Sequence, residues 1–133
     1  MGIRIVVADD HQIIRQGLRM LFDSEADMEL VGEAENGEQA VQLAGELDPD
    51  IVVMDIGMPV MDGFAATRQL QAEHPEIKVV ALSMHDDRAF LEGMKAAGAE
   101  GYVLKDAAFE DLTAAIRQIL DGGTFFPNGE SQN

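Results

Sequence analysis

The sequence predicts an α/β protein: a parallel sheet with helices packed on both faces. Two observations predict it. Five apolar, β-branched-rich segments recur along the chain, and stretches with helical spacing separate them. The first, third and fourth of these segments, IRIVVA, DIVVMD and IKVVALS, are nearly unbroken in apolar character, which fits strands covered on both sides.

Taken in order, the first strand is expected over residues 3–8, followed by a helix in which Ile14, Leu18, Leu21 and Phe22 share a face. The second strand, over 29–34, is interrupted by Glu29, Gly32 and Glu33 and is expected at a sheet edge. Ala40, Ala44 and Leu47 mark the second helix, and the third strand covers 50–55. The third helix, about 62–73, is less cleanly periodic and is read from its length and residue types. A fourth strand over 77–83 leads to a helix with Phe90, Met94 and Ala97 on one face. The fifth strand, 101–105, precedes a helix carrying the series Phe109, Leu112, Ile116 and Ile119. A Gly pair then stops that helix, and the tail DGGTFFPNGESQN becomes polar.

Length and composition narrow the function. At 133 residues the chain fits one domain with an ordinary apolar share of 47%. It has no Cys, which excludes disulfides, Cys-bound zinc and thiol nucleophiles. Nine basic residues against 25 acidic ones give a net charge of −16, so binding to nucleic acid through this chain alone is not expected. No apolar run approaches the ~20 residues that span a bilayer, and no signal-peptide pattern opens the sequence. No membrane association and a cytoplasmic location are expected.

The polar residues fall at the carboxyl ends of the strands, where open α/β sheets bind ligands. The first strand ends in Asp9 and Asp10, the third in Asp55, the fourth in Ser83 and the fifth in Lys105. Each has a plain structural reading: Asp9, Asp10 and His11 as helix capping, Asp55 as a turn acid, Ser83 as a turn hydroxyl, Lys105 as a surface lysine. Together they point further, because three neighbouring carboxylates repel one another and call for a cation. Mg²⁺ suits such a rim, taking one or two carboxylates and leaving places for water and phosphate oxygens. In the stretch DIGMPVMDG that follows Asp55, Pro59 is expected to fix φ and Gly63 to supply a positive φ.

On these residues the chain resembles the receiver domain of two-component response regulators, from Ile3 to about Gly123. The Asp-Asp-His opening and GYVLKDA further resemble the subfamily whose receivers precede a LuxR-type helix-turn-helix. The resemblance implies a flavodoxin-like doubly wound (βα)5 fold with sheet order 2-1-3-4-5. It implies that Asp55 accepts a phosphoryl group from a sensor histidine kinase. It makes Asp10, Asp55 and the carbonyl of Gly57 ligands of Mg²⁺, with Asp9 acting through water. It makes Lys105 the phosphoryl partner, Ser83 the switch hydroxyl and Tyr102 the switch aromatic. Many such receivers place a Pro after this Lys, where Asp106 stands here.

The resulting expectations are a receiver domain over 1–123, with 124–133 a tail or the start of a linker to an output domain. The chain catalyses only its own phosphorylation and dephosphorylation. Its message is a changed face made by the fourth helix, fifth strand and fifth helix, controlling transcription, with phosphorylation-promoted homodimerisation as one form of output. His85, two residues beyond Ser83, faces the same rim, while His11 and His74 are read as helix-end residues. Two other readings compete. An aspartate-nucleophile, Mg²⁺-dependent phosphatase of the haloacid-dehalogenase kind would want a D-x-D motif and a cap domain. A pseudo-receiver binding module would have no use for the full set of rim residues.

Overall fold

The computed structural model describes residues 2–127. Strands β1 (Ile3–Ala8), β2 (Met28–Ala34), β3 (Ile51–Asp55), β4 (Lys78–Ser83) and β5 (Gly101–Leu104) alternate with helices α1 (Gln12–Asp23), α2 (Gly37–Leu47), α3 (Gly63–Glu73), α4 (Arg88–Ala97) and α5 (Ala108–Leu120). All pairings are parallel and the order is β2-β1-β3-β4-β5, as expected.

The period-2 alternation of the central strands builds two cores. Val6, Val52, Met54, Val79 and Ala81 point to the face covered by α2, α3 and α4, where they meet Ala40, Ala66, Leu70 and Met94. Ile5, Val7, Ile51, Val53, Val80 and Leu82 point to the opposite face and meet Leu18, Phe22, Leu112 and Ile116 from α1 and α5. Helix α3 hides its pattern because its buried residues, Gly63, Ala66, Thr67 and Leu70, are mostly small or polar.

Three details differ from expectation. Lys105 opens a short 3₁₀ turn, Lys105–Ala107, rather than ending β5. Phe109 does not join the core: it is 58% exposed, and its ring lies over Gly17 of α1, filling the space where a side chain there would stand. The positive φ in the loop after β3 falls on Val60 (φ 69°), not on Gly63. There the N–H of Met61 donates to the carbonyl of Pro59 at 2.7 Å, closing a γ-turn. Gly63 is needed for a different reason: a Cβ there would overlap the Asp55 carbonyl oxygen and crowd Ile56.

The described part of the tail does not leave the sheet. Phe125 bridges Gly101 in parallel, donating its N–H to Glu100 O at 3.0 Å and accepting from Tyr102 N–H at 2.8 Å. Phe126 packs against the α4 side, with Lys95 Nζ 5.0 Å from its ring centre. Of the expected tail or linker over 124–133, residues 128–133 lie outside the described residues.

Candidate functional site

Strand order reverses between β1 and β3, since α1 lies on one face of the sheet and α3 on the other. That divergence opens a crevice at the carboxyl ends of these strands. Asp9 follows the last residue of β1 and is fully buried; Asp55 ends β3 and is 4% exposed. Ser83 ends β4, also buried, and Lys105 reaches in from the turn after β5. The structure therefore brings Asp9, Asp10, Asp55, Ser83 and Lys105 to one rim, Lys105 from the turn beyond β5 and not from the strand end.

Lys105 Nζ lies 2.9 Å from Asp9 Oδ2 and 3.3 Å from Asp55 Oδ1. Asp55 Oδ2 is buried and has no hydrogen-bond partner. Burial pushes the Asp55 carboxyl up to about 6, and the charge of Asp9 adds to this; Lys105 pulls the other way, and Asp10 pushes up more weakly. A carboxylate in that position gains from any cation that arrives.

Single oxygens of Asp9, Asp10 and Asp55, together with a ring nitrogen of His11, lie within 4.8 Å of one another. The acids thus form a pocket compatible with Mg²⁺. Gly57 is exposed beside them, and nothing lies within 4 Å of where its Cβ would be, so its backbone can be approached freely. A cavity of about 280 Å³ opens here, bounded by Asp55, Gly57, Ser83, His85, Lys105 and His11.

Capping does not account for the Asp-Asp-His opening. Helix α1 has no side-chain cap and no acid in its first turn. By contrast Asn36, Asp62 and Asp87 do cap α2, α3 and α4 through their side chains. His11 instead turns its ring to the acids, with Nδ1 2.8 Å from Asp9 Oδ1. Sequence reasoning missed this, and it missed Arg15, whose Nη1 donates to the Asp9 carbonyl at 2.7 Å. Arg15 lies one helical turn beyond His11, a spacing that could have signalled a shared face. Its Nε also pairs with Glu33 on β2 at 3.2 Å, fixing the end of β1 from the side.

Ser83 keeps a turn role in this structure. Its Oγ accepts from the N–H of His85 at 2.9 Å and donates to the carbonyl of the same residue at 3.2 Å. The Tyr102 hydroxyl donates to that carbonyl at 2.6 Å. Tyr102 is 2% exposed, because this carbonyl gives its hydroxyl a partner inside. The His85 ring stacks on Phe90 with centroids 4.6 Å apart. His74 stays at the end of α3, away from the rim.

Residues 5–117 match the model of the response regulator receiver domain. The chain belongs to the response regulator receiver domain family. The receiver is 39% identical over 123 residues to the transcriptional regulatory protein DegU of Brevibacillus brevis, spanning 92% of this chain and 52% of that protein. It is 43% identical over 121 residues to the response regulator GacA of Pseudomonas aeruginosa, spanning 90% and 56%. Its fold matches the crystal structure of a LuxR-family two-component response regulator from Aurantimonas sp. SI85-9A1 with a TM-score of 0.92 and 35% identity, covering 99% of this chain and 94% of that one. The finer resemblance to LuxR-type receivers therefore holds as well. The receiver spans about half the length of the curated relatives it matches. Among the described residues, no helix is long and apolar enough to cross a membrane.

Proposed function

We propose that this receiver takes a phosphoryl group onto Asp55 from a phosphohistidine of a sensor histidine kinase, in a reaction that depends on Mg²⁺. One observation carries the reading: a buried carboxylate at the mouth of β3 presents an unpartnered oxygen, Oδ2, beside a paired lysine and two further acids. Asp55 Oδ2 would attack phosphorus as the bond from phosphorus to the kinase imidazole nitrogen breaks, and that imidazole leaves with the electron pair. Lys105 would move from Asp9 and Asp55 onto a phosphoryl oxygen. Asp10, Asp55 and the Gly57 carbonyl, with Asp9 through water, would hold Mg²⁺, which would supply charge neutralisation. In this reading the chain catalyses only its own phosphorylation and dephosphorylation.

The switch starts from the His85 carbonyl. A phosphoryl group carrying roughly −1.5 to −2 charge competes for the Ser83 hydroxyl that now bonds to that carbonyl. Moving the loop from mostly one state to mostly the other takes about 5.5 kcal/mol. A charge-assisted bond from Ser83 contributes about 1.5–3 kcal/mol, so Lys105 and the Tyr102 contacts must share the work. The surface so altered is α4–β5–α5. In a longer protein it would control an output domain and transcription, with residues 1–123 the receiver and the segment from 124 the connection. Acetyl phosphate with Mg²⁺ should add one phosphoryl group; Asp55→Asn or EDTA should abolish uptake. Equal uptake by Asp55→Asn would sink the assignment.

A further inference from the structure

His11 stands at the N-cap of α1 but makes no cap with its side chain. Its ring is turned to the acids, with Nδ1 2.8 Å from Asp9 Oδ1, 3.4 Å from Asp10 Oδ1 and 3.2 Å from Lys105 Nζ. No proton arrangement of a neutral imidazole satisfies all of these neighbours. With a proton on Nδ1, the ring donates to Asp9 but faces the Lys105 ammonium donor to donor. With a lone pair on Nδ1, it accepts from Lys105 but sets that lone pair against the Asp9 oxygen.

A divalent cation removes the lone-pair clash, because it takes the Nδ1 lone pair and leaves the Asp9 oxygen to a water of its shell. Lys105 keeps Asp9 Oδ2 and Asp55 Oδ1 as partners. Adjacent ligands in an octahedron with bonds of about 2.0–2.1 Å stand about 3 Å apart. The separation of 3.4 Å from Nδ1 to the Asp10 carboxylate lies close to that edge. A second, independent feature points to the same spot: Asp55 Oδ2, in a residue only 4% exposed, has no partner and belongs to the same cluster.

We propose that His11 is a nitrogen donor to the cation held by Asp10 and Asp55, with Asp9 through water, and that it shifts the preference of the site from Mg²⁺ toward ions that favour imidazole. The proposal rests on the cation-dependent reading above and adds a ligand to it. Mg²⁺ is served best by oxygen donors alone, whereas an imidazole nitrogen favours later divalent ions, in the order Mn²⁺, Fe²⁺, Co²⁺, Ni²⁺. This receiver would thus hold Mn²⁺ or Co²⁺ more tightly, relative to Mg²⁺, than a site made only of its carboxylates.

The probe is Mn²⁺ alone, added to the full chain with no phosphodonor. Electron spin echo modulation of the bound ion reports directly on nitrogen in its coordination shell. The wild-type chain should show imidazole nitrogen coupling, and His11→Ala and His11→Asn should both lose it while still binding Mn²⁺. Calorimetric titration should show Co²⁺ affinity falling at least about tenfold in these variants, with a smaller change for Mg²⁺. Binding of Mn²⁺ to the wild type without nitrogen coupling would overturn the proposal and leave an all-oxygen site. Coupling that survives in both His11 variants but disappears in His85→Ala would overturn it too, by giving the nitrogen to His85. If no Mn²⁺ or Mg²⁺ binds at all, the cation-dependent reading itself fails and this proposal falls with it.

Discussion

The Tyr102 hydroxyl donates to the backbone carbonyl of His85 at 2.6 Å, joining β5 to the loop that leaves β4. Ser83 reaches the same carbonyl from the other side at 3.2 Å. Two side chains on different strands therefore compete for, and together hold, one acceptor in the loop beside Asp55. Tyr102 is fixed by its ring as well, which is buried in the core shared with α4.

Removing that hydroxyl tests how firmly the loop is held. Tyr102→Phe should lower stability by about 0.5–1.5 kcal/mol, the net value of one hydrogen bond. It should also speed amide exchange in residues 84–87, because the His85 carbonyl then keeps only the Ser83 hydroxyl. Unchanged exchange there would show that Tyr102 is packing and not a tether.

A second prediction concerns charge. Lys105 is the cation paired with both Asp9 and Asp55, and its side chain is only 8% exposed. Lys105→Met keeps most of the apolar stem but leaves two buried carboxylates uncompensated. Breaking a buried pair from one side costs about 3–5 kcal/mol. Added Mg²⁺ should raise the melting temperature of the variant more than that of the wild type, since binding to the folded state alone stabilises it. An equal rise in both would separate the cation from these acids.

Asp55 gives a pH dependence with a definite sign. Its carboxyl is pushed up to about 6, chiefly by burial, above the ordinary value of 3.8. Between those values the folded chain binds more protons than the unfolded one, so this group lowers stability as pH rises through about 4 to 6. The effect is on the order of 3 kcal/mol once Asp55 is ionised. The difference in urea midpoint between Asp55→Asn and wild type should therefore grow from pH 4.5 to 7 and then level off. Saturating Mg²⁺ should shrink it. A difference independent of pH would mean that Asp55 is not held in an unfavourable setting.

The strand-end acids, Ser83 and Lys105 were legible in the sequence because both-face burial leaves strands as apolar runs, and any polar residue ending such a run stands out. The edge place of β2 was legible from Glu29, Gly32 and Glu33 for the same reason. Val60 was not, since a β-branched residue is the last type expected at positive φ. Periodicity put Phe109 on the apolar face of α5, but it could not say that α1 leaves the gap over Gly17 that draws the ring outward. His11 reads as a cap in sequence because the pattern of acids before a helix is the same whichever way the ring turns. The pairing of Phe125 with β5 involves a single bridge, too short to show strand alternation.

The loop after β3 supplies a steric prediction. A Cβ on residue 63 would strike the Asp55 carbonyl and Ile56, both backbone, so the loop would have to leave the strand mouth. Gly63→Ala should cost about 1–3 kcal/mol, as overpacking does, and should slow phosphoryl uptake from acetyl phosphate. Gly57→Ala meets open space and should change stability by no more than about 0.5 kcal/mol. A Gly63→Ala chain that is as stable and as quickly labelled as wild type would show that the loop is not seated as described.

The last prediction concerns output, and Tyr102 decides where it should appear. Its hydroxyl is tied to the β4–α4 loop, and its own N–H donates to Phe125 O at 2.8 Å, in the segment that leaves α5. Phe126 then packs on the α4 side near Lys95. A phosphoryl mimic that draws the Ser83 hydroxyl away from His85 would change the load on Tyr102, and with it the seating of 124–126 on the edge of β5. Amide exchange with and without beryllofluoride should therefore change in residues 84–120 and at Phe125, whose N–H is held by Glu100 O at 3.0 Å. Sedimentation in the same two states tests whether the altered α4–β5–α5 face also drives self-association. Changes confined to α2 and α3 would show that the signal does not pass through Ser83 and Tyr102. Changes in the loop that leave Phe125 untouched would confine the switch to the receiver surface and uncouple it from the segment beyond α5.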